Sequence, residues 1–333
     1  MPDYGYNGPQ TGVSFDSLPG MFTTFRAAFD EELAAAYAFD ISPFVLPEDL
    51  NGGLTLDLET LRGIAIMKRW AGSKVVEDAL TGFQNIIKTI PWEATEQIQR
   101  REWNANPNGL SQVQAKIAGL ASEASQHLLR MFAAVVEGNA QTAAALATLG
   151  IEPDLIPLGM QKCLDGKALF AADHPLGNGS TYSNLSTGGH GTSALTAARV
   201  AMAKIPEWLH GRRIDNRGSV LMVPIDLSPR YLQLTQSQFD PDTSRKANNP
   251  NLGLAVEENP YLLDPDKVYL INTRRAQMKP VVYAFTNPAH LVQQTDPQSD
   301  SVFDRGAYKF GAESDGYTMV PGHPFTIFRL SSS

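Results

Sequence analysis

LSQVQAKIAGLASEASQHLLRMFAAVVE, Leu110–Glu137, has apolar residues at Leu110, Val113, Ile117, Leu120, Ala124, Leu128, Met131 and Val135. A step of three or four sustained this long is the period of one face of an α-helix. Ser111 followed by Gln114 gives a capping-box start, just after the breaker run Asn106-Pro107-Asn108-Gly109, and Gly138-Asn139 supplies the stop. At 1.5 Å per residue the helix would run roughly 40 Å, about twice the usual length. Such a rod is either a coiled-coil segment or a spine on which other elements are laid. The flanks favour a spine, because a ribbon-like region leads into it, a mixed domain follows and no heptads continue. Its apolar face is expected to pack on late strands near Lys279–Phe285 and Tyr308–Val320.

Upstream, residues 1–20 hold four Gly and three Pro with scattered aromatics, a composition suited to an extended arm. An arm of this kind is ordered only by lying against its own domain or a neighbouring copy. A helix is expected at Phe22–Ala38. From Leu54 to Asn104 the pattern turns to strands: Gly63–Met67, a turn at Arg69-Trp70-Ala71-Gly72, then Phe83–Ile90 and Glu93–Arg101 around Pro91-Trp92. Glu93–Arg101 alternates without a strongly apolar face. It reads either as half of a two-stranded ribbon projecting from the body and held by another chain, or as a hairpin folded back on its own domain. The cationic side chains Lys68, Arg69, Lys74, Arg100 and Arg101 sit in this region with Trp70, beside Glu77, Asp78, Glu93 and Glu96. Mixed charge of this sort suits salt bridging between protein subunits more than nucleic-acid binding.

Downstream, the pattern predicts a helix at Gln141–Leu149 and a strand at Leu164–Ala172. A Gly/Ser/Asn-rich loop at Gly177–Gly191 and an amphipathic helix at Ser193–Leu209 follow. A buried strand at Ser219–Ile225 leads to a helix from Ser228 to Phe239 with Pro229 at its first position, then an exposed loop at Asp240–Gly253. Strands follow at Lys267–Asn272 and Pro280–Thr286. Tyr308–Glu313 and Tyr317–Val320 read as a pair joined by a Ser314-Asp315-Gly316 turn, and Phe325–Leu330 ends the chain. The sum is α+β without alternating βαβ units, which argues against a Rossmann or barrel enzyme. No internal repeat is evident.

The chain has 333 residues, 43% hydrophobic and 19% charged, which fits a folded protein with a sizeable core. Its net charge of −8 is opposite to that of a protein built to grip phosphates, so any contact with DNA should be weak, local and blind to sequence. The single cysteine, Cys163, allows neither a disulfide framework nor a thiolate cluster. No run approaches the ~18 apolar residues of a membrane helix, and the first residues lack the basic start and apolar core of a signal peptide. The six histidines form no HxH, HExxH or HxxxH pair, and GNGSTYSNLSTGGHG at 177–191 is followed by no GK[ST]. The pairs Asp240/Asp242 and Asp264/Asp266 are DPD turns without a calcium-loop pattern. Asp173-His174 could orient an imidazole, but no nucleophile or metal ligand accompanies it. Neither a cofactor nor a metal is expected.

From Leu164 onward the chain resembles the major head subunit of Mu-type tailed phages, within the wider superfamily of major capsid proteins with the Hong Kong 97-type fold. The residues that carry the resemblance are LDGKALFAADHP (Leu164–Pro175), SNLS (Ser183–Ser186), LTAARVAM (Leu195–Met202) and SVLMVPIDLSPRY (Ser219–Tyr231). NPNLG (Asn249–Gly253), KPVVYAF (Lys279–Phe285) and SDSVFDRGAYKFGAESDGY (Ser299–Tyr317) continue it. Their order and spacing cover about half the chain, and KRWAGSK (Lys68–Lys74) resembles the turn region of the family's extended loop. The resemblance implies an N-terminal arm at 1–50, an extended loop at 51–104, and a peripheral domain at 105–184 with its spine helix at 110–137. An axial domain at 185–276 and return strands of the peripheral domain at 277–333 complete it.

It implies many copies joined as pentamers and hexamers in an icosahedral shell around double-stranded DNA, assembled in the host cytoplasm and ending in the virion. The extended-loop residues Lys68, Arg69, Trp70, Lys74, Glu77, Asp78, Arg100 and Arg101 would then contact neighbouring subunits. A portal, a separate scaffolding protein and a decoration protein are the further partners it suggests, with no membrane. No long charged helical segment stands ahead of the arm, so a scaffolding domain within this chain is not expected. No Lys–Asn pair can be assigned to covalent crosslinking, so none is expected. Two rival readings remain: an encapsulin-like nanocompartment with the same fold, and a hydrolase using Asp173 and His174.

Overall fold

A computed structural model of the chain describes residues 19–35, 40–51, 53, 55–60, 83–101, 109–138, 148, 162–163, 165–177, 179–206, 213–243, 247–296 and 298–332. In chain order the elements are α1 (Phe22–Ala35), β1 (Val45–Asp49), β2 (Thr55–Thr60), β3 (Phe83–Lys88), β4 (Ile90–Gln99), α2 (Gly109–Glu137) and the short strands β5 (His174–Pro175), β6 (Thr181–Tyr182) and β7 (Leu185–Ser186). Then come α3 (Thr192–Lys204), β8 (Val220–Val223), α4 (Ser228–Gln236), β9 (Ala255–Glu258), β10 (Val268–Ile271), β11 (Val281–Asn287), β12 (His290–Gln294), α5 (Asp300–Phe303), β13 (Ala307–Pro321) and β14 (Ile327–Leu330). They fall into two compact units. The first draws on Met1–Asp40, Thr89–Leu128 and Phe285–Tyr317, the second on Ile41–Lys88, Leu129–Ala284 and Thr318–Ser333.

In the first unit the helical period has its expected consequence. Val113, Ile117, Leu120 and Ala121 of α2 pack with Phe25 and Phe29 of α1, Ile98 of β4, Leu291 of β12, and Tyr308, Phe310 and Ala312 of β13. Phe25 meets Phe310 edge-on, with centroids 5.8 Å apart, the arrangement aromatic quadrupoles prefer. β13 bonds to three strands, β4, β11 and β12. It pairs with β4 from Ala307↔Gln99 to Ser314↔Trp92 and with β12 from His290↔Glu313 to Gln294↔Lys309.

Two expectations about strands are corrected here. The predicted hairpin of Tyr308–Glu313 and Tyr317–Val320 is a single strand, Ala307–Pro321, whose register against β4 shifts between Ser314 and Tyr317. Ser314-Asp315-Gly316 makes a bulge instead of a reversal. Gly316 has φ +155°, and a Cβ there would lie 2.8 Å from Thr89 Oγ1, so the position needs glycine for close approach. The expected ribbon of Phe83–Ile90 with Glu93–Arg101 is also not formed. β3 pairs with β2, from Thr55↔Lys88 to Thr60↔Phe83, while β4 belongs to β13. Only Thr89 separates β3 from β4, and a hairpin needs at least about two loop residues.

The second unit is built on a five-stranded sheet in the order β7-β14-β10-β8-β9. The pairs β8–β9 and β14–β7 are parallel; β10 is antiparallel to β8 and β14. Every residue of β10, VYLI, is buried, which accounts for its continuous apolar run. Leu195, Ala198 and Met202 of α3 and Tyr231 and Leu234 of α4 pack on Leu221, Val223, Val268, Leu270, Phe328 and Leu330. A Cβ at Gly218 would lie 2.3 Å from Leu270 Cγ, so the approach to β8 passes where only glycine fits.

Buried asparagines tie the loops of this unit to the sheet. Asn184 Nδ2 donates to Leu169 O (2.7 Å) and Pro324 O (3.0 Å), and its Oδ1 accepts Ala171 N–H (3.1 Å). Asn216 Nδ2 likewise donates to Met202 O (3.2 Å) and Phe325 O (2.6 Å).

Several element boundaries differ from expectation for local reasons. α3 ends at Lys204 with Ile205 extended (ψ 119°), because Pro206 disfavours helix in the residue before it. α4 ends at Gln236. α2 starts at Gly109, which puts Ser111 inside the helix instead of at its cap. Of the strand expected at Leu164–Ala172, the described residues from Asp165 on form none: Gly166 N–H donates to Cys163 O (2.8 Å) and Cys163 N–H to Lys167 O (2.7 Å), closing a turn with Gly166 at φ +78°. The expectations for residues 1–18, Gly63–Met67, the turn at 69–72 and, apart from Thr148, Gln141–Leu149 lie outside the described residues.

Candidate functional site

His174 is fully buried, and its Nδ1 lies 2.6 Å from Asp165 Oδ2. Its ring stacks on Tyr182 at 5.1 Å. Asp173 turns away to the exposed Lys167 Nζ, 2.5 Å distant, and the hydrogen bond from that ammonium holds its carboxyl below the usual range. The expected Asp173/His174 pair is therefore corrected to Asp165/His174. Side chains of consecutive residues in extended chain leave on opposite faces, so neighbours in sequence do not meet. The nearby Cys163 thiol is pushed up by burial and then by Asp165, the reverse of a reactive cysteine. The hydrolase reading fails on this geometry, since the imidazole offers no face to a substrate.

The two DPD motifs are consumed in structure. Asp242 Oδ2 accepts Thr192 N–H (2.6 Å) and Asp240 Oδ1 accepts Thr192 Oγ1–H (2.7 Å), so these carboxylates occupy the N-terminus of α3. Arg230 pairs with Asp242. Asp266 accepts from Ser332 N (3.0 Å) and lies 3.0 Å from His190 Nε2, while His190 Nδ1 lies 2.9 Å from Tyr231 Oη. Burial raises the Asp266 carboxyl, but hydrogen bonds from Ser332 and His190 outweigh it and hold the group well below its ordinary value. The Glu137 carboxylate, buried at the end of α2, accepts Asp264 N–H (2.9 Å) and Leu263 N–H (3.2 Å). None of these links was legible from the residues themselves, because each joins segments far apart in sequence.

Among the described residues no group of three or more His, Cys, Asp or Glu is placed to hold a metal ion. A half-open cavity of about 70 Å³ in the first unit is lined by Trp92, His127, Ala312 and Tyr317. Trp92 Nε1 donates to Tyr317 O (3.0 Å), and His127 Nδ1 lies 2.7 Å from Tyr317 Oη. The space is far below the roughly 300–1,000 Å³ of small-molecule sites.

The residues expected at subunit contacts divide. Lys68, Arg69, Trp70, Lys74, Glu77 and Asp78 lie outside the described residues. Arg100 and Arg101 are exposed, just beyond β4, and Arg100 N–H donates to Gly306 O at 3.0 Å. They therefore stand in the first unit beside the start of β13 and not on the ribbon, which is a correction. Glu96, counted with that cluster, pairs with Lys116 Nζ of α2 at 2.9 Å, a partly exposed contact of small energetic weight.

No protein-family model matches the sequence, and no curated protein does. Solved structures similar to the chain include the procapsid of bacteriophage JBD30, at 16% identity and TM-score 0.49, covering 96% of this chain and 77% of that one. The mature capsid of bacteriophage PhiM1 gives 10% identity and TM-score 0.47, covering 86% and 84%. A virus-like particle from Pyrococcus furiosus gives 13% identity and TM-score 0.44, covering 93% and 98%.

Proposed function

We propose that the chain is the major capsid protein of a tailed double-stranded DNA phage, with the Hong Kong 97-type fold and closest in kind to the Mu-type head subunit. The observation that carries this reading is the return of the chain's end to the strand before its long helix. β13 pairs with β4 over Ala307↔Gln99 to Ser314↔Trp92, and α2 packs across both. That is the layout the motif resemblance implies for a peripheral domain with a spine helix and return strands. The separate β2–β3 pair fits the strands of an extended loop, and the sheet of β7–β10 and β14 with α3 and α4 fits an axial domain.

On this reading copies of the chain join as pentamers and hexamers, and closed symmetry multiplies modest contacts into a stable shell. Lys68, Arg69, Trp70, Lys74, Glu77, Asp78, Arg100 and Arg101 are proposed contact residues between copies. A portal, a separate scaffolding protein and a decoration protein are the proposed partners. The net charge of −8 suits a container that holds its DNA by weak, non-specific contact. Among the described residues no helix is long and apolar enough to cross a membrane.

The test is electron microscopy of the chain expressed alone and with its scaffolding protein. Closed icosahedral shells, and DNA-filled tailed particles from infected cells, are expected. Small shells enclosing a cargo enzyme would favour the nanocompartment, and unassembled chain under both conditions would refute both shell readings.

A further inference from the structure

We propose that an arginine patch in the second unit, formed by residues 213–217 and 273–275, is where the shell touches its packaged duplex, contacting phosphates without reading sequence. This rests on the capsid reading. The chain carries a net charge of −8, yet these two segments hold Arg213, Arg217, Arg274 and Arg275 against one carboxylate, Asp215. Arg213, Arg217 and Arg274 are exposed and Arg275 is half-buried.

Hydrogen bonds make the two segments one surface, between the approach to β8 and the turn after β10. Ser219 N–H donates to Ile271 O (2.8 Å), Thr273 N–H to Ser219 Oγ (2.9 Å) and the buried Asn272 Nδ2 to Asn216 Oδ1 (3.2 Å). Arg275 Nη2 donates to Asp215 O at 3.1 Å. Arg217 forks onto the Asp215 carboxylate through Nε (2.8 Å) and Nη2 (3.0 Å). Arg217, aided by Arg274, holds that carboxyl down to about 2, so all four arginines are within reach of one centre. The framework is set before a partner arrives, which keeps the cost of ordering on contact small.

The unused donors point to the ligand. Among the described residues the Arg213 and Arg274 side chains make no hydrogen bond or ion pair, and Arg275 Nε is buried without a partner. Guanidinium groups gathered like this repel one another, and an external anion relieves that repulsion. Their planar forks match phosphate oxygens. A protein partner would need an apolar anchor near the centre of the patch, but none of the large hydrophobic side chains exposed among the described residues belongs to either segment. Neither segment offers a helix or a two-stranded ribbon to enter a groove, so contact stops at the DNA backbone and carries no sequence information.

The test is fluorescence anisotropy of a labelled random-sequence duplex with unassembled subunits across a salt series. Four arginines less one carboxylate predict that log K falls with log salt at a slope of about −2.7. Arg213→Gln/Arg274→Gln removes the two arginines that bond to nothing in the protein, so it should fold as wild type by circular dichroism. It should bring the slope to about −0.9 and weaken binding at low salt at least about tenfold. Arg213→Lys/Arg274→Lys keeps the charge and should keep the slope. Wild-type DNA-filled particles give a reading that needs no variant: ultraviolet crosslinking should attach nucleotides to peptides containing 213–217 or 273–275.

An absence of duplex binding by wild-type subunits at low salt would overturn the proposal. So would an unchanged slope in the folded Gln variant, nucleotide crosslinks only outside both segments, or polyglutamate binding the patch more tightly than the duplex, which would assign it to an acidic protein. Each of these leaves the capsid reading intact as long as shells form. A wild-type chain that forms no shell would overturn the capsid reading and this assignment with it.

Discussion

Asn184→Ala tests how far the second unit depends on its buried amides. The Asn184 side chain is fully buried. It serves three main-chain groups from two separate segments, donating to Leu169 O and Pro324 O and accepting Ala171 N–H. Pro324 O also accepts Ile327 N–H, so it stays partly satisfied when the amide is removed. Leu169 O and Ala171 N–H lose this partner inside the protein, each at about 1–3 kcal/mol. The expected loss is therefore about 2–6 kcal/mol, a large share of the roughly 5–15 kcal/mol that holds a domain folded. Urea unfolding of unassembled subunits, followed by circular dichroism, measures it, and hydrogen exchange at the Ala171 amide localises it. Asn184→Asp keeps the size and the acceptor but loses both donors and buries a charge, so it should destabilise at least as much. If Asn184→Ala unfolds within about 0.5 kcal/mol of wild type and Ala171 stays protected, the asparagine does not hold these segments together.

Leu120→Asp places an unpartnered carboxylate among Ile117, Phe25 and Phe310 at a position 5% exposed. The cost of several kcal/mol should unfold the first unit and abolish assembly; a variant that melts like wild type would remove α2 from its place at the core. His323 adds a pH dependence. Burial lowers its imidazole from 6.5 to about 4, so the folded chain takes up the proton later than the unfolded chain does. Its contribution to stability is complete above about pH 6.5 and is lost as pH falls toward about 4. His323→Gln should flatten urea midpoints across that window, and an unchanged slope would assign the acid sensitivity to other groups.

The long helix was legible because its evidence is local. Residues three and four apart share a face whatever surrounds them, and Leu110–Glu137 repeats that spacing along nearly its whole length. The buried strand VYLI is local in the same sense, whereas the apolar spacing of α3 runs on to Leu209 and only the backbone restriction before Pro206 ends the helix at Lys204. Strand partners are not local. The alternation of Glu93–Arg101 identified a strand but could not say whether β3, β13 or another chain would bond to it. β13 decided the matter, with an apolar face for Ile98 and a ladder longer than β3 offers.

Turn chemistry was ambiguous for a related reason. Ser314-Asp315-Gly316 suits a reversal or a bulge equally well, and only the approach of Thr89 to Gly316 distinguishes them. The histidines show the same limit, since Asp165 reaches His174 across a turn while the adjacent Asp173 faces solvent. By itself the sequence determined the α+β class, the spine helix, the composition of a folded acidic protein and the motif order that suggests a shell. Tertiary structure alone decided which strands share a ladder and which carboxylate meets which imidazole. Those outcomes depend on contacts between distant residues, whose energies no local pattern contains.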